Sequence, residues 1–404
     1  MATRIRVLLL LVVLALSYLL PGIPVLAAQP EVLESRASAS FPSSIDFRLS
    51  AHSDQNIVDV RLYYDVERES FARVVNEIYI KLSQPAPSVE AGWSWDLRSS
   101  GGMPPGTGIN YWWRIIDAGG GVLETAPQRL VFADTNHSWQ EITDGQVTLL
   151  WYSGDDAFAR ELMAAAQTAL GQLYDDTGAR LKEPVEIYIY ADSRELQEAL
   201  LFAQQWTGGQ AFPRYNKIAI GIATYMLDWG KRAVVHELTH LVTHQMTFNP
   251  YGDLPTWLNE GLSMYAEGDL EAAFKNYFNK ALAEDSLLSV RSLASPFSAF
   301  SETSYLSYAE SYKIVEYLIR EYGRDKMLNM LDTFKAGSTA DGALFSVYGL
   351  DMDILNELWR DYVMAPVPSD SLGEVEINPG LIGLLVLVVA ALITSGVWLW
   401  RVRR

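Results

Sequence analysis

The sequence of 404 residues predicts an α+β protein with an N-terminal antiparallel β-sandwich, an α/β segment that continues into helices, and one C-terminal transmembrane helix. Three patterns support this fold class: short alternating strands early in the chain, strands that alternate with helices further on, and an uncharged apolar run near the end. The net charge of −18 disfavours nucleic-acid binding, and the absence of cysteine excludes disulfides and thiolate metal sites.

Residues 1–28 are predicted to be a secretory signal peptide. Two arginines precede a long apolar run, which ends in the small-residue stretch Val25–Ala28. The alternative is an uncleaved N-terminal anchor, and the helix-breaking residues Pro21 and Pro24 disfavour it.

Residues 38–134 are predicted to form the β-sandwich. Apolar and polar residues alternate along short stretches, and turns rich in Gly, Pro and Ser separate these stretches. The run Pro105–Asp117 resembles the penultimate-strand region of fibronectin type III and related immunoglobulin-like modules, which implies a sandwich of that kind. The predicted strands are Ile45–Leu49, Ile57–Val66, Val74–Leu82, Gly92–Leu97, Ile109–Ile116 and Gln128–Phe132.

Residues 139–365 are predicted to form a second domain, with an α/β half followed by a helical half. Strands alternate with helices at first, and nearly every segment beyond residue 255 has helical periodicity. The predicted strands are Val147–Tyr152, Val185–Tyr190 and Lys217–Ile222. The predicted helices are Asp156–Tyr174, one that begins near Ser193, one around Val234, Leu258–Ala266, Ala309–Glu321 and Ile354–Tyr362.

The end of the chain is predicted to anchor the protein in a membrane. Residues 366–380 are expected to form a stalk, and residues 381–400 are uncharged and long enough for a transmembrane helix. Trp398 and Trp400 are expected at one membrane interface, and the basic tail 401–404 is expected in the cytoplasm. We therefore expect the rest of the chain outside the cytoplasm, at the cell membrane and by default in a bacterial envelope.

Three of the five histidines fall between His236 and His244, where the first two form an HExxH motif. On a helix, His236 and His240 lie about one turn apart on the same face, so both imidazoles can reach one zinc ion. Glu237 lies beside His236, where it can act as the general base toward water. The alternative is a chance HExxH on an amphipathic helix.

A zinc ion held by two histidines needs a third protein ligand, which a second element usually supplies. The stretch Trp257–Tyr265 contains Glu260 followed by glycine, and 19 residues separate Glu260 from His240. This stretch closely resembles the second zinc-ligand helix of gluzincin metallopeptidases, the peptidase MA-like group. The resemblance implies a zincin-like catalytic domain with Zn²⁺ as its cofactor, held by His236, His240 and Glu260.

Two neighbouring residues have other expected roles. His244 lies one further helical turn beyond His240, too far to bind the same ion, and is expected to support the site from outside or to lie at the surface. Glu267 follows Glu260 by two helical turns, and we expect it to be a supporting or solvated residue rather than a ligand.

The oxyanion of the transition state also needs a hydrogen-bond donor opposite the zinc ion. Gluzincins often use a Tyr or His from the helical half, and no histidine follows His244 in this sequence. Among Tyr305, Tyr308 and Tyr312 we choose Tyr308 as the catalytic donor. The alternative is that all three are packing aromatics.

The aminopeptidase branch of the gluzincins carries a Gly-x-Met-Glu-Asn segment whose Glu binds the free amine of the substrate. The corresponding stretch here, Phe212–Ile222, contains no acidic residue, so aminopeptidase activity is not expected. Residues 217–222 are expected to form the edge strand of the sheet beside the cleft, where an extended peptide can pair with it.

The sequence therefore predicts a membrane-anchored, extracytoplasmic zinc metallopeptidase that hydrolyses a peptide or protein substrate and has no nucleic-acid partner. The alternative is a non-catalytic surface binding protein with a zincin-like domain, and retention of the complete His-Glu-His-Glu set favours the peptidase. A membrane-embedded protease is disfavoured because charged and polar residues flank the HExxH motif.

Overall fold

The computed structural model describes residues 29–201, 208–298 and 301–365. The predicted signal peptide, stalk, transmembrane helix and basic tail all lie outside these ranges. Within the ranges, every helix is too short or too polar to cross a membrane. The chain divides between Asn356 and Glu357 into two compact units, and all the packing described below belongs to the first.

The N-terminal part of the protein is a seven-stranded sheet in which every pairing is antiparallel. Its first strand begins earlier than residue 38, in a Ser/Ala-rich stretch whose side chains are mostly exposed. The strands are β1 (Glu31–Ser40), β2 (Ser44–Val66), β3 (Asn76–Tyr79), β4 (Ala86–Asp96), β5 (Thr107–Asp117), β6 (Val122–Glu124) and β7 (Gln128–Phe132).

Strand β2 joins two predicted strands, Ile45–Leu49 and Ile57–Val66, into one. Its first half pairs with β1 and β4, and its second half pairs with β3 and β5. The polar residues between the halves remain extended in part because Ser53 is buried and donates a hydrogen bond of 2.6 Å to Asp117. The prediction ended a strand at Leu49 because polar residues follow it. The strand continues there because a buried hydrogen bond satisfies the Ser53 hydroxyl.

The two halves of β2 contribute to one apolar core. The ring centroid of Phe47, in the first half, lies 6.3 Å from that of Tyr64 in the second half and 5.3 Å from that of Tyr111 in β5. The sheet therefore folds over so that its halves face each other. The predicted antiparallel strands are confirmed, and β2 carries the hydrogen bonding from one half of the folded sheet into the other.

A second sheet of five strands has the order β11-β12-β10-β9-β8. Its three inner strands are parallel, and the outer strands β8 and β11 pair in the antiparallel sense. The inner strands lie where the sequence predicts strands, to within one residue. The bounds are β8 (Gln140–Asp144), β9 (Val147–Trp151), β10 (Val185–Tyr190), β11 (Gly209–Phe212) and β12 (Lys217–Gly221).

At the end of this sheet where residues 217–222 were expected to form the edge, the outermost described strand is instead β11. Strand β12 lies between β11 and β10, and all of its residues are buried. Strand β11 has only four residues, which are partly or fully exposed, so it has no apolar pattern to reveal it in the sequence. The edge that an extended peptide can reach is therefore Gly209–Phe212.

Within the first unit, helices pack against this second sheet and against one another. Helix α1 shows how local sequence sets helix ends: the Asp155 carboxylate accepts a hydrogen bond of 2.9 Å from the Phe158 N–H, and Gly178 ends the helix with a φ of 75°. The helices are α1 (Asp156–Thr177), α2 (Ser193–Ala199), α3 (Leu227–Thr247), α4 (Thr256–Ala266), α5 (Ala272–Ala283), α6 (Ser301–Tyr322), α7 (Arg324–Lys335), α8 (Ala340–Tyr348) and α9 (Met352–Met364).

Helices α4 and α6 approach each other closely at Gly261. A Cβ atom added to Gly261 would lie 2.5 Å from the backbone carbonyl oxygen of Ser311 and 2.7 Å from a methyl group of Val315. A backbone carbonyl inside a helix cannot move aside as the end of a side chain can. Glycine at this position therefore fixes how α4 lies on α6.

We expect Gly261→Ala to destabilise the protein by about 1–3 kcal/mol, because the overpacking exceeds the gain in helix propensity. The free energy of unfolding, measured by denaturant titration, checks this. Gly171→Ala in α1 is the matched control, since an added Cβ there meets nothing within 4 Å. That control should be neutral or stabilising by up to about 1 kcal/mol. Equal effects of the two substitutions would contradict the steric explanation.

Candidate metal centre

Helix α3 presents the HExxH motif from a rigid base. Val234, Leu238 and Leu241 are buried and hold the helix in the core. On the same helix, the ring centroids of His236 and His240 lie 4.8 Å apart, and the rings are nearly perpendicular at 84°. The one-turn spacing predicted from the sequence therefore brings the two imidazoles side by side.

Helix α4 brings Glu260 to these two histidines. The Glu260 Oε2 atom lies 3.4 Å from His236 Nε2 and 3.6 Å from His240 Nε2. Ligand atoms of all three residues lie within 4.8 Å of one another. The Glu260 Oε2 atom is buried and has no hydrogen-bond partner among the described residues. A buried carboxylate oxygen that faces two imidazole nitrogens suits a divalent metal ion, so the residues present fit zinc.

Two further residues orient the imidazoles from behind. His236 Nδ1 is 2.7 Å from the Glu267 carboxylate, and His240 Nδ1 is 3.2 Å from the Ser263 hydroxyl oxygen. When Nδ1 carries the proton toward Glu267, the His236 Nε2 lone pair is free for a metal. Glu267 is also paired with Arg232 at 3.0 Å and is nearly buried. The structure therefore gives Glu267 a supporting position rather than a solvated one.

The electrostatic field at the centre favours a cation. Burial alone would lower the pKa of His236, but its contacts with Glu260 and Glu267 and the charge of Glu237 raise this pKa to about 10. Burial also acts to raise the pKa of Glu260, whereas the neighbouring His240 and His236 lower it overall. The carboxylates thus outweigh the cost of burying a positive charge, as they would for a metal ion.

We expect Glu267→Gln to weaken zinc binding about 10–100-fold, because the substitution removes the anionic hydrogen-bond partner of a metal-binding histidine. Competition with a chromophoric chelator measures the change in zinc Kd. Glu271→Gln is the matched control: Glu271 also pairs with Arg232, at 3.0 Å, but it does not contact His236 within hydrogen-bond distance. Comparable losses in both variants would assign the effect to Arg232 instead.

Glu237 lies between two cavities beside the metal centre. The larger cleft, of about 550 Å³, is also lined by His240 and Glu260. The smaller cleft, of about 400 Å³, is also lined by His236 and Tyr308. The backbone of β11 runs next to the carboxylate, since a Cβ added to Gly209 would lie 3.1 Å from Glu237 Oε1. The Glu237 carboxylate is therefore accessible to a molecule that binds along the edge strand.

Tyr308 projects from α6 toward the same centre. Its ring centroid lies 6.4 Å from that of His236 and 5.1 Å from that of Phe297. Burial and the nearby charges of Glu260 and Glu237 raise the pKa of Tyr308, so its hydroxyl keeps its proton and can donate a hydrogen bond. Tyr305 and Tyr312 line neither cleft.

His244 makes a contact that the sequence did not suggest. Its Nε2 atom lies 3.2 Å from the carboxylate of Glu69, in the loop between β2 and β3 of the N-terminal sheet. Burial lowers the pKa of His244 although Glu69 acts to raise it. Glu69 and Ser263 are thus site residues that sequence reasoning missed. No local sequence pattern identifies Glu69, because its contact with His244 is long-range. Ser263 lies in the stretch Trp257–Tyr265 that resembles the gluzincin helix, so that resemblance could have identified it.

A mixed α/β domain with an HExxH helix, a Glu from the next helix and an edge strand beside them defines a protein that resembles zinc peptidases. Comparison with known families supports this class. Residues 165–365, a little under half of the chain, match the family model described as the Peptidase MA superfamily. The matched segment contains His236, Glu237, His240, Glu260 and Tyr308, and the match supports a zincin-like peptidase.

No curated protein matches this chain. Among solved structures, OgpA from Akkermansia muciniphila is 13% identical over 26% of this chain and 29% of its own length, with a TM-score of 0.20. An M1 zinc metallopeptidase from Deinococcus radiodurans is 11% identical over 84% of this chain and 96% of its own, with a TM-score of 0.35. Aminopeptidase A from Legionella pneumophila is 10% identical over 83% of this chain and 50% of its own, with a TM-score of 0.34.

Proposed function

We propose that this protein is a membrane-anchored, extracytoplasmic zinc metallopeptidase of the gluzincin type. The observation that carries the proposal is the group formed by His236, His240 and Glu260. In this group the Glu260 Oε2 atom is buried and has no hydrogen-bond partner among the described residues. Glu237 lies beside the group in a cleft. A zinc ion held by these three residues would polarise the scissile carbonyl group and acidify water.

Glu237 acts as the general base and then as the general acid. Its carboxylate accepts a proton from the attacking water as the water oxygen bonds to the carbonyl carbon, and it returns that proton to the amine nitrogen as the C–N bond breaks. The position between the two clefts suits this role, because substrate can extend from Glu237 in both directions. The Tyr308 hydroxyl donates a hydrogen bond to the oxyanion that forms in between.

The substrate is a peptide or protein segment in extended form. Among the described strands none pairs with the outer edge of β11, next to Glu237, so its backbone can pair with a peptide backbone. The four residues of β11 include no acidic residue to bind a free α-amine, which again disfavours an aminopeptidase. The uncharged run at residues 381–400 and the apolar N-terminus support placement at a membrane with the cleft outside the cytoplasm.

Metal analysis of the purified full chain, followed by cleavage-site profiling of a peptide library, tests this function. We expect one zinc ion per chain, loss of cleavage when a chelator removes it, and recovery when zinc is added back. Stoichiometric zinc without cleavage of any peptide would favour the alternative, a non-catalytic binding protein with a zincin-like domain. Absence of bound zinc would contradict both the cofactor and the mechanism.

A further inference from the structure

The larger cleft contains one strongly basic residue among the described residues that line it, Arg214. The same cleft is lined by Glu237, His240 and Glu260, so Arg214 borders the space in which the scissile bond must lie. Asp253 also lines this cleft, but none of the ion pairs among the described residues joins it to Arg214. An exposed arginine is ordinary on most surfaces, so its significance depends on what holds it in place.

The turn that carries Arg214 is fixed by the metal-binding helix. Residues 213–215 form a short helical turn after β11, and Asn216 follows in the left-handed region with a φ of 53°. Gln245 of α3 donates a hydrogen bond of 2.9 Å to the Asn216 side-chain oxygen. Gln245 in turn accepts a hydrogen bond of 2.7 Å from the backbone N–H of Lys182. The position of the turn is therefore tied to the helix of His236 and His240.

The loop between β2 and β3 fixes the turn from the other side. The Glu69 backbone N–H donates a hydrogen bond of 2.6 Å to the Arg214 carbonyl oxygen. Phe71 of this loop stacks on Phe248, with ring centroids 4.2 Å apart and planes at 11°. The Arg214 guanidinium carbon lies over the same Phe248 ring, 5.9 Å from its centroid. Contact with an aromatic face restricts the guanidinium and so reduces the entropy lost when it binds a ligand.

The Arg214 guanidinium has no carboxylate partner in the part of the chain that the structure describes. Glu69 contacts Arg214 through its backbone, but its carboxylate lies next to His244 instead. Elsewhere in the described ranges, Arg73 and Arg129 form close ion pairs with Asp65 and Glu67. Arg214 therefore lines the larger cleft with its guanidinium against the Phe248 ring and without a carboxylate partner among the described residues.

We propose that Arg214 binds a carboxylate group of the substrate. The planar guanidinium matches a carboxylate with two parallel hydrogen bonds, which fixes both the position and the orientation of the bound peptide. The carboxylate belongs either to an Asp or Glu side chain near the scissile bond or to the C-terminus of the peptide. This inference rests on the proposed peptidase function and adds the class of substrate to it.

The experiment compares matched peptides on the zinc-loaded full chain. Starting from one cleaved peptide, one arm exchanges Glu for Gln at each position around the cleaved bond, and the other exchanges the C-terminal acid for the amide. We expect the carboxylate form to have a kcat/KM about tenfold higher, mainly through a lower KM, in one of the two arms. The arm that responds identifies the source of the carboxylate.

Arg214→Met should remove this preference by raising the KM of the carboxylate peptide to that of its neutral counterpart, whereas Arg214→Lys should keep part of the preference because the charge remains without the planar fork. Arg194→Met is the matched control, since Arg194 is exposed on α2 and lines neither cleft. The wild-type preference should persist in that control. Equal kcat/KM for both forms in the wild type, or a preference that survives Arg214→Met, would overturn the proposal.

Binding of the same peptides to the zinc-loaded Glu237→Gln variant, measured by calorimetry, separates this proposal from the peptidase function. A lower Kd for the carboxylate form that is lost on adding Arg214→Met supports carboxylate binding even where no peptide is cleaved. In that outcome the peptidase function alone fails. Cleavage without any carboxylate preference in either assay leaves the peptidase function intact and overturns the role of Arg214.

Discussion

Peptide hydrolysis is expected to fall roughly 10²–10⁴-fold in Glu237→Gln, with zinc binding unchanged. Gln has nearly the shape of Glu but cannot accept the proton of the attacking water. Glu237 is not one of the three residues grouped as metal ligands, so its replacement should not release the ion. Steady-state kcat on a peptide identified by cleavage profiling, together with metal content, checks both expectations.

Glu161→Gln is the control for this substitution, because Glu161 is exposed and pairs with Lys231 away from both clefts next to Glu237. It should retain wild-type kcat. If Glu237→Gln kept more than a tenth of the wild-type kcat, Glu237 would not be the general base. If it lost its zinc, the fall in activity would report on the metal rather than on proton transfer.

Zinc affinity is expected to fall more than 100-fold in Glu260→Gln, beyond the 10–100-fold loss typical of residues that only support a ligand. The amide oxygen is a weaker donor than the carboxylate, and the substitution removes the negative charge that offsets the ion. Zinc should then raise the Tm of the wild type but not that of the variant. At a free zinc concentration of 100 times the wild-type Kd, zinc binding stabilises the folded wild type by about 2.7 kcal/mol.

Equilibrium dialysis against graded free zinc, with Tm measured at each concentration, tests this expectation. Glu284→Gln removes the same charge from an exposed position after α5 and should behave as the wild type. An unchanged zinc Kd in Glu260→Gln would mean that another residue completes the site. A loss of folding in the variant without zinc would instead show as a lower Tm before any metal is added.

The pair of candidate histidine ligands was accessible to sequence reasoning because its geometry is local. His236 and His240 are one helical turn apart, so the period of a helix alone places them together. Glu260 needed a resemblance to a family, since nothing in the intervening residues fixes where α4 lies. The strands β9, β10 and β12 were accessible for a similar reason: each is a short buried apolar run, which marks a strand without knowledge of its partners.

The rest depends on contacts between distant parts of the chain. The order of strands decides that Gly209–Phe212, and not residues 217–222, is the edge, and the composition of the two segments does not reveal that order. The pairing of Glu69 with His244 likewise joins the N-terminal sheet to α3. Local sequence patterns do not reveal contacts between distant residues, because these depend on the complete fold. For this reason the sequence left open whether His244 supports the site or lies at the surface.

The stacking of Phe71 on Phe248 affects how the protein can be divided. The predicted boundary between residues 134 and 139 separates two segments of the chain, but Glu69 and Phe71 of the first segment contact residues 214, 244 and 248 of the second. A fragment that begins at residue 139 would lack Glu69 and Phe71, leaving the Phe248 ring without its stacking partner and the Arg214 carbonyl without its donor. A piece of this chain that keeps these contacts is therefore larger than the segment that contains the candidate metal ligands.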